Sequence, residues 1–335
     1  MLKKVLGLTA FCALAFAACK KSAEPILSME QITPAEQLGI APQLRTCASY
    51  EVLQQQLKDD PTLQARMDEI EAFTNQYVKQ VQAGMNKMVS GTLIIPVVVN
   101  VIYRVDSENV SNQQIYSQID VLNEDYGATN KDLNAPSLFS AVLAGDVKVR
   151  FTLDSTDIKR KVTNKLSWTT NNAVKSTKQG GLDPTSPTTK LNFWVCNLSG
   201  GVLGYAQFPG GSSSTDGVVI DNNAFGKGFP RLYADYNLGR TATHEVGHWF
   251  NLRHIWGDAT CGNDQVDDTP QHNTANYKCP EAGHKSTCTG TPVEMTMNFM
   301  DYTYDRCMYM FSLGQAKRMQ ATWADNKGGR YTFVQ

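Results

Sequence analysis

The run Thr243-His-Glu-Val-Gly-His-Trp-Phe-Asn-Leu-Arg-His254 constrains this chain more than any other stretch, because three of the five histidines fall inside it. On a helix, residues four apart share a face, so His244 and His248 can aim two imidazoles at one metal ion. Glu245 stands beside them, with a carboxylate placed to take a proton from water. Zinc held by three protein ligands lowers the pKa of bound water to about 7, which makes water a nucleophile at neutral pH. His254 lies six residues beyond His248 and cannot share its face on an unbroken helix. The helix must therefore end between them. Asn251 is the expected turning point, since asparagine is second only to glycine in tolerating the left-handed conformation that ends a helix.

The charge balance excludes one class of partner. A formal net charge of -1, with no basic stripe interleaved with aromatics, gives no footprint for nucleic acid or an anionic membrane. With 335 residues and 41% hydrophobic content, the chain can bury one sizeable core and a smaller accessory region. Lys3 and Lys4 precede an apolar run from Val5 to Ala18 that is too short to span a bilayer and reads as an export signal. Its end, Phe16-Ala17-Ala18-Cys19, resembles a bacterial lipobox with Phe16 in place of leucine, which implies a lipidated Cys19. The alternative is an ordinary signal-peptidase site with an incidental cysteine. Either way residues 1–18 are expected to be removed and the protein exported, touching a membrane only through that anchor.

Residues 19–90 read as a pro-segment, polar at first and then helical from Pro61 to Phe73 with Asp60 as cap. Within Arg45-Thr46-Cys47-Ala48, the Cys47 thiolate is a good zinc ligand, and Arg45 beside it favours the ionised form. A disulfide from Cys47 to Cys196, or an incidental thiol, is the alternative. Residues 91–335 alternate strand and helix. Leu93–Tyr103, Val147–Leu153, Leu191–Cys196 and Gly217–Ile220 read as strands, and Ser111 caps a helix running towards Tyr126. A twisted mixed sheet covered by helices fits, an α/β (α+β) fold. The stretch Gly204-Tyr205-Ala206-Gln207 suits an edge strand or an internal hairpin equally. After His254 the chain is loop-rich until a helix from Leu313 to Trp323, capped by Ser312. In that part Asp258, Asp264, Asp267, Asp268 and Thr269 offer oxygen atoms of the kind calcium prefers, though without EF-hand spacing, and a solvated acidic loop is the alternative. Export permits disulfides, and Cys261, Cys279, Cys288 and Cys307 allow three pairings. Cys196 reads as a buried free thiol.

The pattern HExxHxxxxxH resembles the metzincin metallopeptidases, with Asn251 where they have glycine. The wider stretch Asn237–His248 is similar to the pappalysin or cytophagalysin branch, and the resemblance covers most of the chain. It implies a metzincin-like catalytic domain with an active-site helix and a disulfide-linked, loop-rich lower subdomain. It implies zinc on His244, His248 and His254, with Glu245 as general base. Met297-Asn-Phe-Met-Asp-Tyr302 looks like the family's Met-turn, placing Met300 beneath the ligands and Tyr302 where its hydroxyl can stabilise an oxyanion; ordinary methionine packing is the alternative. Cys47 would then act as a cysteine switch. The resemblance also implies the pairs Cys261–Cys288 and Cys279–Cys307, calcium in the lower subdomain, and substrate main chain paired along Gly204 and Tyr205. Arg306, just before the last cysteine, would floor the pocket for the side chain after the cut and favour acidic residues, unless Asp305 or Asp301 neutralises it. The expected partners are protein or peptide substrates and the chain's own pro-segment, in a monomer. Two rivals remain: a thermolysin-like peptidase with a glutamate as third ligand, and a surface lipoprotein with a structural zinc. Glu245 argues against the second, because a structural site needs no base.

Overall fold

The β-branched run Leu93–Tyr103 forms the longest strand, β1, on which the sheet assembles. In the computed structural model, which describes residues 44–85, 91–133, 138–324 and 329–334, the first part of β1 pairs in parallel with β2 (Val149–Thr152) and the second with β3 (Ile158–Val162). On its other side β1 pairs in parallel with β4 (Leu191–Cys196), and β4 with β6 (Val218–Asp221). Short β5 (Gly204–Ala206) runs antiparallel to β6, and the order β2-β1-β4-β6-β5 leaves it at the edge.

Burial on both faces explains why β4 and β6 are apolar apart from Asn192 and Asp221. Phe193, Val195, Val218 and Ile220 belong to the larger core, while Trp194, Cys196 and Val219 belong to a smaller one. Helices α3 (Asn112–Tyr126) and α4 (Arg240–Trp249) pack on the sheet and on each other. Ser111 caps α3 by accepting from the Gln114 N–H, as its sequence suggests. The smaller core takes Trp168, Val174 and, from the preceding segment, Ala48 and Val52. Val52 is on α1 (Ser49–Asp59), which leads into α2 (Leu63–Gln82).

Three local expectations need correction. The helix expected at Pro61–Phe73 starts later and runs nine residues further, and Asp60 does not cap it. Its carboxylate closes the preceding turn instead, accepting from the Thr62 N–H and hydroxyl and pairing with Arg66. The strand expected from Val147 is shortened at its start because Lys148 sits at φ 67, in the left-handed region. The closing helix, α5 (Leu313–Ala321), has its capping box of Ser312 and Gln315 but ends short of Trp323. Between α4 and α5 there is little regular structure beyond the pair β7 (Tyr277–Lys278) and β8 (Tyr302–Thr303). Disulfides Cys261–Cys288 and Cys279–Cys307 tie this part together, while Cys47 and Cys196 stay free and buried. The signal sequence and Cys19 lie outside the described residues.

Candidate active site

Helix α4 is buried along its whole length and delivers His244 and His248 to one point. Asn251 adopts φ 67, and the Leu252 N–H donates back to the Gly247 carbonyl, so the chain doubles back and brings His254 to the same place. The Nε2 of His248 lies 3.2 Å from that of His244 and 3.1 Å from that of His254. Every Nδ1 is engaged: His244 at 2.7 Å from the Phe299 carbonyl, His248 at 2.8 Å from the Leu252 carbonyl, and His254 on the Asp258 carboxylate. Carbonyls only accept, so the Nδ1 atoms of His244 and His248 carry the hydrogens and leave their Nε2 lone pairs facing the cluster. Burial, and then the neighbouring imidazoles, push His244 and His248 well below the usual histidine range. Three imidazoles whose Nε2 atoms converge fit a zinc ion.

Met300 is buried beneath this group. A Cβ at position 247 would lie 2.4 Å from its sulfur, so Gly247 lets the methionine pack against α4 between the two histidines. The Met300 carbonyl accepts from the Ile255 N–H, tying this turn to the segment after His254.

The fourth member of the group comes from the stretch that precedes β1 in the chain. The ligand atoms of Cys47, His244, His248 and His254 all lie within 4.8 Å of one another, the only such cluster among the described residues. Thr46–Ala48 lies along β5: the Leu203 N–H donates to the Thr46 carbonyl at 2.9 Å and the Ala48 N–H to the Gly204 carbonyl at 3.0 Å, in parallel register. Gly204 and Tyr205 thus lie on a strand that is at once the sheet edge and one arm of a hairpin with β6, with the Tyr205 ring buried in the smaller core and only its main chain at the edge. Gly204 is required at this approach, since a Cβ there would meet Glu245 Cγ at 2.9 Å.

The Cys47 thiol donates to Glu245 Oε2 at 3.2 Å, and the Ser49 hydroxyl donates to the same oxygen at 2.8 Å while accepting from the Ala206 N–H at 2.8 Å. The Tyr302 hydroxyl donates to the Cys47 carbonyl at 3.0 Å and accepts from its N–H at 3.2 Å. Burial pushes the Glu245 carboxyl up to about 7 against the hydrogen bonds from Ser49 and Cys47. Burial, and then the Glu245 charge, push the Cys47 thiol up as well.

Arg45 spends its guanidinium elsewhere than on the Cys47 thiol. It is buried with Asp305 at 2.6 Å, donates to the Thr303 carbonyl and the Thr241 hydroxyl, and stands over the Tyr236 ring. Arg306 is placed at the surface. Its side chain is 55% exposed, pairs with Asp235 and lies over the Tyr304 ring, so the buried charge beside the site is the Asp305 carboxylate.

The oxygen atoms proposed for calcium are not drawn into one ligand set. Asp264 accepts from the Thr269 hydroxyl and the Val266 N–H, Asp268 accepts from Ser312 and Gly314 at the start of α5, and Asp267 is exposed. Asp258 leaves that group for His254. Its spacing of four from the histidine was a usable signal, as was Ser49 standing two residues after Cys47. Asp305 gave none, because its partner Arg45 is 260 positions away.

Residues 186–324 match the family described as pregnancy-associated plasma protein-A. An extracellular metalloprotease of Arthroderma benhamiae is 32% identical over 258 residues, covering 72% of this chain and 76% of that protein. One from Verticillium alfalfae is 31% identical, covering 68% and 78%. Among solved structures, mature mirolysin of Tannerella forsythia with a cleaved peptide superposes with a TM-score of 0.70 at 41% identity, covering 73% of this chain and 97% of its own. A mutant of promirolysin from the same organism reaches 0.75 at 38% identity, covering 87% and 97%.

Proposed function

This chain belongs to the pregnancy-associated plasma protein-A family of metallopeptidases and is a zinc metallopeptidase, and we propose that it is an exported endopeptidase made as a latent precursor, with residues 19–90 as pro-segment and 91–335 as catalytic domain. The observation that carries this is the plug: Cys47 completes the histidine cluster while Ser49 holds the adjacent carboxylate. The greater share of this chain covered by promirolysin than by mature mirolysin supports the division.

His244, His248 and His254 would hold the zinc, which supplies Lewis acidity to water and to the scissile carbonyl. Glu245 takes the proton of the attacking water and returns it to the leaving amine. Tyr302, freed of its bonds to Cys47, donates to the developing oxyanion. The vacated main chain of β5 pairs with extended substrate. The pro-segment runs parallel to β5, so a substrate running antiparallel places the residue after the cut on the side where Arg45 now sits. A closed set of three histidines and one cysteine also suits a structural zinc. Hydrolysis of peptides after pro-segment removal, abolished by a chelator and restored by zinc, supports the enzyme; zinc retention without hydrolysis supports the structural reading.

The place now filled by Arg45 supports a reading of specificity. A buried Asp305 carboxylate suits arginine or lysine after the cut, in place of the acidic preference expected from Arg306. Breaking a buried charge pair costs about 2–5 kcal/mol, so Asp305→Ala is expected to lower kcat/KM for basic peptides on the order of 10²-fold and leave neutral ones within about threefold. A peptide library profiled with both enzymes checks this, and an unchanged profile rejects the pocket. Export follows from the signal-like N-terminus and the extracellular relatives, with Cys19 as an anchor until the pro-segment is cut.

A further inference from the structure

The three histidines are not supported alike. His244 and His248 stand on α4, and their Nδ1 atoms rest on main-chain carbonyls that no side-chain substitution removes. His254 follows the Asn251 turn outside any helix or strand, and its ring is held by side chains alone. It stacks flat on Trp256, with centroids 4.3 Å apart and planes 7° apart, and meets the Tyr302 ring edge-on at 5.0 Å. Its Nδ1 is bonded to the Asp258 carboxylate, whose side chain is 16% exposed.

The backbone turns sharply where that bond is made. Gly257 and Asp258 take φ 65 and φ 57 in succession, turning the carboxylate back over the ring four residues earlier. Position 257 has no room for a side chain, since a Cβ there would meet the Asn263 nitrogen at 2.3 Å. Aspartate tolerates the left-handed region better than most residues, yet it seldom takes it without a local reason. Here the bond to His254 supplies one.

We propose that Asp258 is a positioning residue for the metal site, fixing the tautomer and orientation of His254 and strengthening that imidazole as a donor through its charge. This rests on reading His244, His248 and His254 as zinc ligands. A carboxylate behind a ligating imidazole raises its basicity, and removing such partners lowers metal affinity by about 10–100-fold. Neither other histidine has a charged group on Nδ1, so the hold on the metal is most adjustable at Asp258.

The test is zinc dissociation from the precursor, measured by competition with a chromogenic chelator, for the wild type, Asp258→Asn and Asp258→Ala. Asparagine keeps an oxygen that accepts from Nδ1 but brings no charge, and it separates charge from packing. The alanine variant is expected to bind zinc about 10–100-fold more weakly, with the asparagine variant between it and wild type, and zinc-saturated samples of all three giving the same far-ultraviolet circular dichroism. Dissociation constants within twofold of wild type for both variants would overturn the proposal. So would loss of structure in both at saturating zinc, which makes Asp258 a fold residue. A wild-type precursor that binds no zinc overturns the ligand reading itself, a distinguishable failure.

Discussion

Replacing Glu245 by glutamine is expected to lower kcat of the activated enzyme by about 10²–10⁴-fold, the range that a positioned general base contributes, with zinc content unchanged. The side chain is buried next to the histidine cluster, with Oε2 reached by Ser49 and Cys47. Glutamine fills the same volume and still accepts a hydrogen bond, but it cannot take a proton from water. Because the carboxylate is not among the clustered ligand atoms, the metal should stay. Paired measurement of peptide hydrolysis and metal stoichiometry separates the roles. A loss below about tenfold would remove Glu245 from proton transfer, and zinc lost together with activity would make it a ligand or a structural group.

The second large effect concerns latency. The Cys47→Ala precursor loses the sulfur from the cluster but keeps three other holds: Ser49 on Glu245 and the Ala206 N–H, Arg45 on Asp305, and the main chain of Thr46 and Ala48 on β5. Its hydrolysis of a short peptide should therefore rise at least about tenfold over the wild-type precursor, yet remain below that of activated enzyme. A hydrogen bond to a charged group contributes about 1.5–3 kcal/mol, so adding Ser49→Ala should raise activity about a further tenfold or more. Initial rates must be taken before mass spectrometry detects any cut in the pro-segment. A double variant as silent as wild type would show that neither side chain blocks the site.

The parts of this site legible in the sequence are those fixed by local geometry. Spacings of four and six place the three histidines, and Asn251 marks the turn because few other residues take φ 67 readily. The strands Leu93–Tyr103 and Leu191–Cys196 coincide with their apolar runs. What was illegible depends on partners distant in the chain. Ser49 meets Glu245 across 196 positions and Arg45 meets Asp305 across 260. Asp305 and Arg306 are adjacent, but the short helical turn Asp305–Cys307 buries one and exposes the other, which adjacency in the chain cannot tell apart. Asp258 read as one more oxygen ligand for calcium, because composition cannot say which neighbour a carboxylate serves. Asp60 is a similar case, its hydrogen bonds going to the turn before the helix.

The central claim is that the precursor carries a three-histidine zinc site plugged by its own Cys47, and X-ray absorption at the zinc edge tests it most directly. The precursor should show one zinc with three nitrogen neighbours and one sulfur at about 2.3 Å, and the sulfur should vanish on activation and be absent from the Cys47→Ala precursor. A precursor whose zinc has only nitrogen and oxygen neighbours, or an activated enzyme that keeps the sulfur, would contradict it.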